Sequence, residues 1–115
     1  MVPSTEPPTN PSVELDVVTS VDGTSATVSI SGELDVYTAP ELRTRLHELV
    51  DGGVGLLTLD LAGLSFIDSS GLGVIVGALK RLRERDGTLQ LRAPSRSTAK
   101  VLEITGLAKI LDVVD

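Results

Sequence analysis

Leu56-Leu57-Thr58-Leu59-Asp60-Leu61 is apolar on both of its alternating faces, and after Ala62 to Ile67 it gives way to Asp68-Ser69-Ser70-Gly71-Leu72-Gly73. Apolar residues on both faces mark a central, largely buried strand. The polar corner after it opens a second apolar stretch that stays uncharged until Lys80. A buried strand that ends on Asp and Ser and passes into an apolar run reads as a strand feeding a helix start. Its setting decides what that junction means, because a layered α/β fold needs the step to recur along the chain.

The segments on either side fit the same plan. Val13 to Thr19 alternates, with Val13, Leu15 and Val17 against Glu14 and Asp16. Asp22-Gly23 is a turn signal, so Thr24 to Ser31 is the partner strand of a hairpin. Ala26, Val28 and Ile30 share one face there, and Ser25, Thr27, Ser29 and Ser31 the other, which predicts a sheet with one covered and one polar face. Thr38 and Glu41 form a capping-box pattern with Pro40 tolerated in the first turn, so a helix is predicted up to Asp51-Gly52-Gly53. The helix after the corner runs from Ser69 to Arg85 and stops at Asp86-Gly87. Its last turns hold Lys80, Arg81, Arg83 and Arg85, which suit the negative end of the helix dipole. Thr88 to Arg92 is a strand, Ser95 the N-cap of a helix through Ile104, Gly106 its C′ residue, and Ile110 to Val114 a closing strand. The order β-β-α-β-α-β-α-β has three α-then-β steps, and predicts a mixed sheet of about five strands with helices packed mainly on one face.

The 115 residues suit one domain. Residues 1–12 hold four of the six prolines and little apolar surface, so they are expected to be a disordered tail ahead of a domain spanning 13–115. With Phe66 and Tyr37 as the aromatic residues and a net charge of −6, nucleic acid is not an expected partner. No cysteine is present, and His47 stands alone, so neither a disulfide framework nor a metal site is expected. Met1 leads into Pro, Ser, Thr and Glu rather than a basic-then-apolar leader, and Gly71 to Leu79 is far short of the roughly 20 residues of a membrane span. A cytoplasmic protein without a membrane partner is expected.

The corner resists catalytic readings. Gly71-x-Gly73-x-x-x-Gly77 has the wrong spacing for a dinucleotide fingerprint, and its glycines are better explained by close helix-to-sheet packing. A nucleophile elbow needs a glycine two residues before its serine, where Asp68 or Ile67 stands. Ser69 has no general base marked as near it, and Asp35 with Asp68 lacks a further catalytic element, so no enzyme and no cofactor is expected. What remains is a polar helix start, where unpaired N–H groups favour a hydroxyl or a phosphate. Asp68 or Ser69 could simply cap it. The corner, however, holds more polar groups than one cap needs. Beside it the helix is apolar almost all round: with Leu72, Ile75, Val76 and Leu79 on the core side, Val74, Gly77 and Ala78 are left over as a docking patch.

Ser31-Gly32-Glu33-Leu34-Asp35, Leu64 through Gly73, and Ile104-Thr105-Gly106-Leu107 resemble the bacterial anti-sigma factor antagonist family, whose fold is the STAS domain. The resemblance runs in order from Val13 to Val114. It implies a STAS-domain sandwich and a partner-switching role. The unphosphorylated protein would bind an anti-sigma factor that is also a serine kinase, and so release a sigma factor. Phosphorylation of the serine after the motif's aspartate, Ser69 here, would break that complex, and a serine phosphatase would restore it. Gly32, Glu33, Asp35, Asp68, Ser70, Gly71, Leu72 and Val74 would form the partner-binding and switch surface. Family members commonly carry a further helix after the last strand, so what that helix covers would be exposed here or covered by another chain. The alternative within the same fold is a sensor of nucleotides or small molecules, or an accessory subunit of a transporter.

Overall fold

The computed structural model describes residues 15–115, and the expected tail at 1–12 lies outside them. In chain order the elements are β1 (Leu15–Asp22), β2 (Ser25–Leu34), α1 (Ala39–Asp51), β3 (Leu56–Ile67), α2 (Ser69–Arg83), β4 (Thr88–Arg92), α3 (Arg96–Ile104), a 3-10 turn (Leu107–Lys109) and β5 (Asp112–Val114). One mixed sheet takes the spatial order β1-β2-β3-β4-β5. β1 runs antiparallel to β2, and every later neighbour pairs parallel. Each parallel step crosses over through a helix in the same direction along the sheet, and right-handed crossovers then put all three helices on one face.

Register confirms that face. Ala26 aligns with Leu57 and Leu89, and Val28 with Leu59 and Leu91, and all six are buried. They pack against Leu42, Leu46 and Val50 of α1 and Ile75, Leu79 and Leu82 of α2 in a single aliphatic core. The opposite face presents the row Thr27, Thr58, Gln90 and the row Ser29, Asp60, Arg92. Asp60 and Arg92 pair across that row at 2.9 Å.

Three local expectations are corrected. β2 does not end at Ser31: register shifts at Ser29/Ser31 and Gly32/Glu33 let it continue to Leu34, with Gly32 at φ +102°. Bulges of this kind keep the pairing while bending the strand, and the left-handed residue is a glycine as such a bend demands. The capping box at α1 does not form. Thr38 has helical φ and ψ, and its side chain caps nothing in that helix. Of the three glycines ascribed to helix-to-sheet packing, only Gly71 serves it: a Cβ there would lie 2.6 Å from Leu34 Cγ, whereas at Gly73 and Gly77 it would meet nothing within 4 Å.

Candidate functional site

β2 and β3 end together, with Leu34 opposite Ile67, and the two chains then diverge into α1 and α2. The Asp68 N–H donates to the Leu34 carbonyl at 3.2 Å, which holds the Gly32–Asp35 segment against the Asp68–Gly71 corner. Ser65 Oγ donates to the Gly32 carbonyl at 3.0 Å and ties the same two strands one step earlier. The residues assigned to the site at both motifs therefore meet at one end of the sheet, outside the carboxyl ends of its central parallel strands. Open α/β sheets bind their ligands at that end.

Asp68 is the N-cap of α2. Its Oδ1 accepts from the Ser70 N–H at 2.8 Å and the Gly71 N–H at 3.1 Å, in the extended conformation a cap requires. Ser69, the first residue of the helix, is exposed, and its hydroxyl has no partner among the described residues. Ser70 is half-buried. Because Asp68 supplies the cap, the Ser69 hydroxyl is left over for something else.

Around it, Gly32, Glu33, Asp35 and Asp68 are half-buried and Leu34 fully buried. Asp35 Oδ1 accepts from the Tyr37 N–H at 2.9 Å and the Thr38 N–H at 3.0 Å, so that oxygen shapes its own loop. Residues 32–42 and 61–79 contain Glu33, Asp35, Glu41 and Asp68, with no Lys or Arg in either stretch. Electrostatically this end is acidic and uncompensated by its own loops.

The docking patch expected on α2 needs correction. Val74 is 2% exposed and Ala78 fully buried, so neither is available to a partner. α2 packs on the sheet and also along α1, and a helix with two neighbours buries a wider stripe than one resting on a sheet alone. Leu72, Val76 and Gly77 remain half-exposed, and Gly73 is exposed. The exposed large apolar side chains in and beside the two motifs are instead Val36, Tyr37 and Phe66, which are 58%, 88% and 48% exposed. These were missed as site residues, although both aromatic residues of the chain stand beside the two motifs while the core is aliphatic. Phe66 also lines a cavity of about 120 Å³ with Ser65, Ile67, Ser97, Thr98 and Val101, between the end of β3 and α3.

His47 lies elsewhere, in a groove with Gly77, Lys80, Arg81 and Glu84. Burial, with Arg81 beside it, holds its pKa below the ordinary imidazole value. Ser69 and Arg81 are twelve residues apart on one helix, about 18 Å at 1.5 Å per residue. The described residues contain no group of three potential metal ligands and no helix long and apolar enough to cross a membrane.

Residues 13–115 match the family model of the STAS domain. The chain is 42% identical over 86 residues to an anti-sigma-B factor antagonist of Bacillus subtilis, covering 75% of this chain and 78% of that one. It is 36% identical over 101 residues to the anti-sigma-B factor antagonist of Staphylococcus aureus, covering 88% and 94%. Its fold superposes on the phosphorylated form of the Bacillus cell fate determinant SpoIIAA with a TM-score of 0.70 at 25% identity, covering 88% of this chain and 91% of that one.

Proposed function

Because the chain belongs to the STAS domain family, we propose that it is an anti-sigma factor antagonist whose binding is switched at Ser69. The antagonist role rests on its likeness along most of its length to the two anti-sigma-B factor antagonists. Its partner is an anti-sigma factor, and binding it releases a sigma factor. That anti-sigma factor is also the serine kinase, and a separate serine phosphatase resets the switch. This chain contributes an acceptor hydroxyl and a docking surface and no catalytic group, and it works in the cytoplasm.

The observation that carries the switch is the division of labour at the corner. Asp68 caps α2, which leaves the exposed Ser69 hydroxyl without a structural duty. In the transfer, Ser69 Oγ forms a bond to the γ-phosphorus of ATP, the bond from that phosphorus to the ADP oxygen breaks, and the hydroxyl proton leaves to a kinase base. The product gains roughly −1.5 to −2 charges. A helix N-terminus tolerates that charge in the free protein. Residues 32–42 and 61–79 hold no Lys or Arg to pair with it, so within those loops the phosphate's charge is solvated by water. Docking would strip that water from an unpaired charge, which is costly. A loss of about 1.4 kcal/mol is already tenfold in affinity. That SpoIIAA also exists in a phosphorylated form supports the same reading.

Incubation with the anti-sigma factor captured from native cells and ATP, followed by mass mapping, tests it. One phosphate on Ser69, absent from Ser69→Ala, is expected. No phosphate, or phosphate on Ser70, would overturn the assignment.

A further inference from the structure

We infer that Thr38 is a positioning residue for the phosphorylation of Ser69: its hydroxyl clasps the 33–38 loop into the shape that the kinase docks against. This rests on the reading of Ser69 given above. By sequence pattern Thr38 should cap α1, yet its side chain makes no cap bond. The helix start does not lack for partners, since the Ala39 N–H already donates to the Asp35 carbonyl at 2.8 Å. The hydroxyl is used upstream instead. Thr38 Oγ1 accepts from the Asp35 N–H at 2.9 Å and donates to the Glu33 carbonyl at 2.9 Å. It also lies 3.2 Å from Asp35 Oδ1, but one hydroxyl carries one proton, and the shorter contact to Glu33 takes it.

The Asp35 carboxylate closes the other half of the clasp through the Tyr37 and Thr38 amides. Residues 33, 35, 37 and 38 are thereby tied together across a turn that has few apolar anchors of its own. The clasped loop includes Leu34, whose carbonyl accepts from the Asp68 N–H next to Ser69. It carries Val36 and Tyr37 outward, and Tyr37 at 88% exposure has no packing to hold it. Its direction is set by the backbone alone, and the Thr38 hydroxyl, together with the Asp35 carboxylate, fixes that backbone.

Freeing a loop adds conformational entropy that a docking partner must remove again, and the loss appears in affinity. Docking contacts outside the reacting atoms are equal in ground and transition states, so weakening them raises KM and leaves kcat unchanged. Thr38→Val removes the hydroxyl at nearly constant volume, and Thr38→Ser keeps it. Phosphorylation kinetics with the anti-sigma factor kinase captured by the wild-type chain should show KM raised about tenfold for Thr38→Val, with kcat within about twofold. Thr38→Ser should behave as wild type. Amide exchange, which needs no partner, should quicken at the Asp35 and Tyr37 N–H groups in Thr38→Val and not in Thr38→Ser. Thr38→Ala also lacks the hydroxyl and cannot overpack the turn, so it must reproduce the same pattern if the valine variant folds poorly.

Unchanged KM in both hydroxyl-free variants, a parallel fall in kcat, or failure of serine to rescue would overturn the inference. So would unchanged exchange at Asp35 and Tyr37. If the wild-type chain is not phosphorylated on Ser69, the functional reading falls and Thr38's role in that transfer with it, while exchange still reports whether the clasp exists.

Discussion

Gly71 is the residue on which the site's geometry depends most directly. It lets the first turn of α2 rest on the ends of β2 and β3, where an added Cβ would come 2.6 Å from Leu34 Cγ and 2.9 Å from Ile67 Cγ1. Both obstacles are buried aliphatic side chains with little room to yield. Gly71→Ala should therefore cost about 1–3 kcal/mol by overpacking. Gly77→Ala, in the same helix with nothing within 4 Å of the new methyl, should gain up to about 1 kcal/mol from helix propensity. Urea denaturation of both variants measures the contrast, and equal shifts would show that close approach is not what Gly71 provides. The sequence placed three glycines in one role because spacing cannot tell which of them faces the strands. That distinction depends on how far α2 rolls toward α1, a tertiary outcome.

At the scale of elements, the strands and helices were legible because each has its own period or punctuation. Alternation marked β2 and β4, and Ser95, whose Oγ accepts from the Thr98 N–H at 3.2 Å, marked α3. The ends were less legible. β2 runs three residues past Ser31 because a bulge at Gly32 absorbs the irregularity, and no pattern in Gly-Glu-Leu announces a paired strand. Thr38 misled for a related reason: a capping residue competes among several nearby backbone groups, and here an upstream loop won. The face of the sheet opposite the helices carries a testable charge pair between β3 and β4. Asp60 is held below the ordinary carboxylate range, first by its hydrogen bond from the Ala62 N–H and then by Arg92. A carboxylate with a depressed folded pKa contributes stability that is complete above its unfolded pKa, near 3.8, and is lost as pH falls through the lower folded value. Asp60→Asn should therefore flatten the acid limb of a plot of melting temperature against pH, below about pH 4, and leave its shape at neutral pH unchanged. An acid limb as steep as the wild type's would remove Asp60 from that account.

Over the whole molecule, the sequence made the layered α/β sheet legible, while the meeting of the Gly32–Asp35 and Asp68–Gly71 segments was implied by the family resemblance alone. The sequence did not make the exposed surface of α2 legible, because Val74 and Ala78 look available on a helical wheel and are buried in the core. The exposed Tyr37 and Phe66 were visible as the two aromatic residues of a chain with an aliphatic core, but an amino-acid count gives no surface position. Charge is distributed along α2 as the dipole favours, with the Asp68 cap at one end and Lys80, Arg81 and Arg83 in the last turn. The end bearing Ser69 thus has no cation in its own loops, residues 32–42 and 61–79. In the switch proposed above, the neutrality of the hydroxyl is therefore the signal. The affinity of the captured anti-sigma factor for the unphosphorylated and the Ser69-phosphorylated chain, titrated side by side by calorimetry, tests this most directly. Phosphorylation should weaken binding by at least about 100-fold, or about 2.8 kcal/mol, with Ser69→Ala binding like the unphosphorylated chain. Equal affinities, or tighter binding by the phosphorylated chain, would contradict it.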